Sequence, residues 1–342
     1  MDLRYSQTQS TPHKLLSWAF LPLIYGIIVF LVPRPPSVNS AGWRLLGIFV
    51  ATIAGLILQP IPGGALVLIA VILAALCGGL SIAHALGGFS DSVVWLVMAA
   101  FFISNALIKT GLARRIALLF VRTIGHSSLG VCYALALTDL VLASIIPSNG
   151  ARSGGVVLPI VRSIAELYGS RPGETAARIG GFLMTGVYQS ICVTAAMFLT
   201  GQASNPLAAQ IAATTFHFPV TWASWFVAGL VPGMVSLAII PWLVSYLNPP
   251  EIRRTPEAAA FAGDELRRMG PMDRNQYIVL AIFVSVCGLW IFSPLDIALS
   301  ALLGAAALLD TRGVLERRDQ GPHRLGHLRV VRRPATAWQV AQ

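Results

Sequence analysis

The chain has 342 residues, 56% of them hydrophobic and only 11% charged, whereas a soluble domain carries roughly a quarter of its residues as charges. That composition excludes an ordinary soluble globular protein and points to an all-α polytopic membrane protein. The formal net charge is +10, but the basic residues cluster between apolar runs, so membrane orientation accounts for them and no nucleic-acid partner is expected.

Apolar windows long enough to cross about 30 Å of hydrocarbon fall at roughly 15–33, 44–60, 64–82 and 93–109. The first follows a weakly basic start and lacks a clear small-x-small site after it, so an uncleaved span is expected rather than a signal peptide. TGLARRIALLFVRTIG (110–125) places Arg114, Arg115 and Arg122 on one face and Leu and Phe opposite, the pattern of an interfacial helix. A hairpin is expected next, 128–146 in and 149–164 back. Further spans read at about 179–213 (interrupted), 223–247, 277–292 and 295–310. The expected architecture is about eight spans plus one re-entrant hairpin.

The hairpin is the stretch that carries chemistry. SIIPSNGARSGGVVLPIVRS (144–163) puts Pro, Ser-Asn-Gly, Arg and Gly-Gly inside apolar sequence. Irregular backbone at membrane depth is tolerated only inside protein or beside a watery cavity. Pro147 cannot continue the preceding helix, and Ser148 or Asn149 can cap a new one. The tip at Ser148, Asn149 and Gly150 would then aim backbone N–H groups and a positive helix end at one point, which suits an anion. The same tripeptide also fits an ordinary turn; the apolar flanks and Arg152 favour the anion reading. Arg152 at depth needs an offset for a burial worth about 2.5–3.5 kcal/mol. The offset could be a substrate anion, Asp139 in the opposite arm, or a water-filled vestibule. Gly154 and Gly155 are expected to let the two arms pack closely.

A second interruption lies in FLTGQASNPLAAQ (198–210), at Thr200-Gly201-Gln202 and then Ser204-Asn205-Pro206. Pro206 is expected to remove a helical hydrogen bond and free carbonyls that need partners. Broken helices commonly form substrate or ion sites, although a simple kink would use the same residues. Two breaks, each containing Ser-Asn, favour one joint site built from Ser148, Asn149, Gly150, Thr200, Gly201, Ser204 and Asn205. Asp91 is expected to cap the fourth span, while Cys77, Cys132, Cys192 and Cys287 lack metal-ligand spacing and read as small apolar residues. No nucleophile–base pair, metalloprotease motif, phosphate loop or dinucleotide fingerprint is present, so no enzyme and no resident metal are expected.

With the N-terminus inside, fourteen Lys and Arg residues fall on the cytoplasmic side against Arg34 and Arg44 outside, which sets the direction. The polar stretch 248–275 reads as a linker with a helix near 256–269. GIFVATIAGLILQP (47–60) faintly resembles AIFVSVCGLWIFSP (281–294), as inverted repeats do. Five segments follow: 1–43 with the first span, 44–247 as a complete first repeat, 248–275 as linker, 276–318 as the start of a second repeat, and 319–342 as a tail. The tail is basic where a repeat would be apolar. A one-nucleotide shift in plausible codons turns its start into a string resembling SDSVVWLVMAAFF (90–102). The tail is therefore expected to be out of frame, and the second repeat cut short.

PSNGARSGG (147–155), NPPEIRRTPEAA (248–259) and RRMGPMDRNQY (267–277) together resemble the divalent anion:sodium symporter (DASS) family. The nearer likeness is to plastid 2-oxoglutarate/malate translocators and to bacterial citrate or tartrate/succinate antiporters. The resemblance implies secondary transport of di- and tricarboxylates by an elevator-like motion in a homodimer, in the cell inner membrane, with the chain multi-pass in the lipid bilayer. The family pattern is Ser-Asn-Thr at each of two hairpin tips. Ser148 and Asn149 match the first, Gly150 stands where Thr is usual, and Ser204 and Asn205 fall in the first broken helix. The symporters use sodium beside the tip, where Arg152 stands here. The resemblance thus implies that Arg152 balances substrate charge in place of sodium, and that the empty carrier holds an uncompensated charge that enforces exchange. The rivals are an inactive truncated fragment, a sodium-coupled anion symporter, and an intramembrane enzyme, for which only Asp139 and Arg152 would qualify.

Overall fold

The computed structural model describes residues 20–311; the expected tail at 319–342 lies outside them. Among the described residues the regular elements are helices, with one bridge between Ser127 and Arg254. The chain divides into two compact units, residues 1–95 and 96–342.

The described part of the first unit begins with α1 (Phe20–Leu31), α2 (Ser40–Leu58), α3 (Gly63–Leu76) and α4 (Ile82–Leu86). Asn39 caps α2 by accepting from the Gly42 N–H at 2.7 Å, the use for which Asn is favoured before a helix. α2 and α3 meet at Gly55, where a Cβ would come 2.6 Å from Leu66 Cδ2. Apolar side chains elsewhere on α2 face outward, Phe49 at 63% and Ile57 at 76% exposure. A soluble protein would not present such a face, whereas a bilayer accepts it. The apolar cavity of about 390 Å³ among Leu21, Tyr25, Ile48 and Leu66 has no charged lining.

Helix α5 (Ser92–Lys109) leads into the second unit, where α6 (Leu112–Ile124) and α7 (Ser128–Ala143) follow. Asp91 accepts from the Val93 N–H at 2.8 Å, as expected of a cap. α7 runs through the core, with Cys132, Leu135 and Leu142 inaccessible. The return arm is α8 (Asn149–Arg152), a π-turn (Ser153–Val157) and α9 (Leu158–Leu167). After it come α10 (Gly180–Met197), α11 (Ser204–Phe216) and α12 (Trp222–Leu247). α10 packs closely on α7 at Gly186, where a Cβ would lie 2.4 Å from Cys132 Sγ, and on α12 at Gly233, where one would lie 2.3 Å from Met197 Cγ. Gly154 and Gly155 do not do this job. A Cβ on Gly154 meets nothing within 4 Å, and one on Gly155 meets Ile108 of α5 rather than α7. Both lie within the π-turn, whose backbone turns them away from the opposite arm.

The linker forms α13 (Pro256–Met269), followed by α14 (Arg274–Phe292) and α15 (Ile297–Asp310). It is stitched down at both ends. Thr255 N–H donates to His126 O and Thr255 Oγ1 to Gly125 O, each at 2.9 Å. Tyr168 donates to Glu257 at 2.7 Å. The arginines of α6 do not share one solvated face: Arg114 pairs with Glu265 of α13 at 2.7 Å. Arg115 is buried and donates to Gln276 Oε1 (3.1 Å) and Gly270 O (2.9 Å). The face of α6 that reads as interfacial is partly covered by the linker.

Among the described residues four helices, α2, α5, α12 and α14, are long and apolar enough to cross a membrane, and α1, α3, α7 and α15 are shorter apolar helices. The protein is an all-helical, multi-pass membrane protein.

Candidate functional site

The tip and the break come together. Pro147 ends the run that follows α7, and Ser148 opens the return arm in extended backbone, its Oγ accepting from the Ala151 N–H at 3.2 Å. The first intrahelical bond is Arg152 N–H to Ser148 O, so the N–H groups of Asn149 and Gly150 precede the helical ladder. A Cβ on Gly150 would meet only Ser148 Oγ, at 3.8 Å. Nothing steric therefore reserves this position for glycine.

Across from the tip, α10 ends at Met197 and α11 begins at Ser204. Pro206 lies in the first turn of α11, where its missing N–H breaks no bond, contrary to the expectation that it unties the helix. The interruption lies before it. The carbonyls at the end of α10 are satisfied by side chains: Asn205 Nδ2 donates to Ala195 O (2.8 Å) and Phe198 O (2.9 Å), and Trp225 Nε1 to Ala196 O (2.9 Å). Asn149 Nδ2 donates to Gln202 Oε1 at 3.3 Å, and Gln202 Nε2 to Ser204 Oγ at 2.5 Å. Gln202 thus bridges the two Ser-Asn motifs. Ser148, Asn149, Gln202 and Asn205 are half-buried, and Gly150 and Ser204 are exposed.

Thr200 and Gly201 sit behind this surface. Both are buried. Thr200 Oγ1 donates to Ser144 O at 2.5 Å and accepts from Trp222 Nε1 at 3.0 Å, and Gly201 O accepts from Arg152. Trp222 stacks with Phe226 and Trp290, closing this side with aromatic surface.

Arg152 is the centre of the junction and is wholly inaccessible. Nε donates to Asp139 Oδ1 at 2.9 Å, Nη1 to Ile146 O and Gly201 O at 2.6 Å each, and Nη2 to Asn149 Oδ1 at 3.1 Å. Four of the five guanidinium donors are therefore used, each on a different group. The other carboxylate oxygen of Asp139 accepts from the Thr194 hydroxyl. Asp139, one of the three offsets open to Arg152, pairs with it directly. A buried cation without such a partner would be strongly destabilising.

Residue reasoning missed two members of this site. Gln202 reads in sequence only as part of an interruption, and Thr194 has no local signal, lying inside an otherwise apolar helix. Two cavities lie away from the tip: about 290 Å³ among Arg114, Gly155, Ser163 and Phe261, and about 360 Å³ along α10 and α12 by Cys192, Met197 and Gly233.

Comparison with known proteins agrees with this architecture. The family described as "Sodium:sulfate symporter transmembrane region" matches residues 13–319. The chain is 44% identical over 288 residues to the "Putative malate transporter YflS" of Bacillus subtilis (strain 168), covering 83% of this chain and 60% of that protein. It is 41% identical over 290 residues to "Dicarboxylate transporter 1, chloroplastic" of Arabidopsis thaliana, covering 84% and 52%. It is 34% identical over 295 residues to the "L-tartrate/succinate antiporter" of Escherichia coli O6:K15:H31, covering 80% and 61%. The chain spans about half to three-fifths of the length of these relatives. With a family match running through every described residue, this chain belongs to the sodium:sulfate symporter transmembrane family, the divalent anion:sodium symporters that its hairpin and linker motifs resemble.

Proposed function

We propose that this chain carries the carboxylate-binding half-site of a di- or tricarboxylate exchanger. The observation that supports it most is the Asn149–Gln202–Ser204 bridge, which joins a helix start and a helix break into one partly open polar surface. Hydroxyl, amide and backbone N–H donors converge there, and such donors suit carboxylates. Ser148, Asn149, Gly150 and Ser204 form the surface that meets the substrate. Asn205, Thr200 and Gly201 hold it from behind, since their own polar groups bond within the protein.

Transport is proposed to be exchange without sodium. Arg152 Nη1 consumes the Ile146 and Gly201 carbonyls, oxygens of the kind a hard cation needs. Asp139 answers the Arg152 charge, so exchange does not rest on an uncompensated charge in the empty carrier. It rests on the likeness to a protein named as an antiporter. The remaining elements of the reading are an elevator motion of a homodimer, two inverted repeats, and insertion in a cell inner membrane with the N-terminus cytoplasmic. The Lys and Arg distribution supports the last of these. A second reading, in which the site binds carboxylate without moving it, rests on the same bridge, since a binding surface does not by itself entail movement.

Proteoliposomes containing the full chain test both readings. Labelled succinate should enter vesicles preloaded with malate, with or without sodium, and should not enter empty ones. Sodium-driven uptake without counter-substrate would contradict exchange, whereas binding with no uptake would select the second reading.

A further inference from the structure

Resting on the site reading above, we propose that Asp139 is a specificity-determining positioning residue. It touches no substrate, yet it cancels the Arg152 charge and so sets the preference of the site between dianions and trianions. Arg152 is the sole ionisable residue within 144–153 and 194–206, the two stretches that form the tip and the break. Its charge is the field that a bound anion would feel, and Asp139, 1% exposed and 2.9 Å away, opposes it. The tip therefore recognises anions with a formally neutral pair behind it.

The same contacts transmit position. Asp139 is fixed from one side by the Thr194 hydroxyl and holds Arg152 by Nε. The far edge of the guanidinium then bonds Asn149 Oδ1 at 3.1 Å. With its oxygen turned to Arg152, Asn149 has its amide N–H groups turned toward Gln202 and the open tip. A flipped amide would set donors against donors. A carboxylate ten residues before the tip therefore decides both how much positive field reaches a substrate and which way Asn149 presents its donors.

Two substitutions change the charge in opposite directions. Asp139→Asn keeps an oxygen for Arg152 Nε and offers an N–H to Thr194 Oγ1, but leaves the pair with a charge of plus one. Arg152→Gln leaves it at minus one. Thr194→Val changes no charge and only loosens the brace. Binding of succinate and of citrate to the full chain is measured by calorimetry at about pH 8, where citrate is a trianion. Asp139→Asn should shift the citrate-to-succinate affinity ratio about tenfold toward citrate, and Arg152→Gln about tenfold toward succinate, as one unit of nearby charge requires. Thr194→Val should weaken both ligands alike, and the double variant D139N/R152Q should return the ratio to that of the unaltered chain.

If one single variant fails to fold, the opposite-signed one and the double variant decide. Ratios within twofold of the unaltered chain in the charge variants, or an equal shift in Thr194→Val, would overturn the role of Asp139 while leaving the site reading intact. An unaltered chain that binds neither succinate nor citrate would overturn the site reading and this inference with it.

Discussion

Arg152 and Arg115 are both buried cations in a chain with few charges, and they are held by different chemistry. Arg152 is inaccessible and takes a carboxylate, two backbone carbonyls and an amide oxygen. Arg115 retains 8% exposure and, among the described residues, takes Gln276 Oε1 and the carbonyls of Gly270 and Pro271. A guanidinium with an edge still reaching water needs orientation and little more. One sealed inside the unit needs a counter-charge, because the penalty for stripping an ion of water grows steeply with depth. The difference separates a tether, which fastens the linker to α6, from a core junction, around which the tip and the break are assembled.

The largest effect is expected at Arg152. Arg152→Met leaves Asp139 buried without a counter-ion and should destabilise the chain by about 3–5 kcal/mol, read as thermal unfolding in detergent. Arg115→Met strands an amide and carbonyls but no ion, so it should cost about 1–3 kcal/mol; an equal loss at the two sites would erase the distinction. Replacing Asp139 and Arg152 together by Leu and Met sharpens it. Stability should stay within about 1–2 kcal/mol of the unaltered chain, while carboxylate binding weakens because Asn149 loses the donor that orients its amide.

The smallest effect lies at the linker. The Tyr168 hydroxyl, and then the residue's own backbone amide, hold the Glu257 carboxyl below its usual 4.5. Its folded value is therefore lower than its unfolded one. The contribution is present above about pH 4.5 and is lost as pH falls through the folded value. Tyr168→Phe should therefore cost a little stability at neutral pH, a cost that fades as pH falls through the folded value, as a pH series of unfolding temperatures would record.

The parts of this fold that are legible in sequence are those with a local cause. Pro147 is followed at once by Ser148-Asn149-Gly150, which marks a turn, whereas Pro232 and Pro241 stand in apolar sequence and lie inside α12 without ending it. Pro256 and Gly270 bracket a polar amphipathic stretch, so the linker helix lies where its pattern puts it, at 256–269. The juxtaposition of Ser148-Asn149 with Ser204-Asn205 also follows from two breaks within one apolar half. What local pattern could not reveal is tertiary. Which side of α6 meets α13 decides that Arg115 is buried and Arg114 is not. Gly154-Gly155 advertises close packing, yet the tight contacts fall at Gly186 and Gly233, single glycines whose partners, Cys132 and Met197, are distant in the chain. Gln202 reads only as part of an interruption because its role depends on Asn149, 53 residues earlier.

The tip and the break are proposed to form one carboxylate-binding surface. That surface is tested most directly by introducing Ser204→Cys, in a background where the exposed Cys77 and Cys192 are replaced by Ser, and measuring its labelling by a small maleimide with and without malate. Malate at saturation should slow labelling of that thiol several-fold, and the added substitution Asn149→Ala should abolish the protection. A labelling rate that malate leaves unchanged, in a chain shown to be folded, would contradict the account.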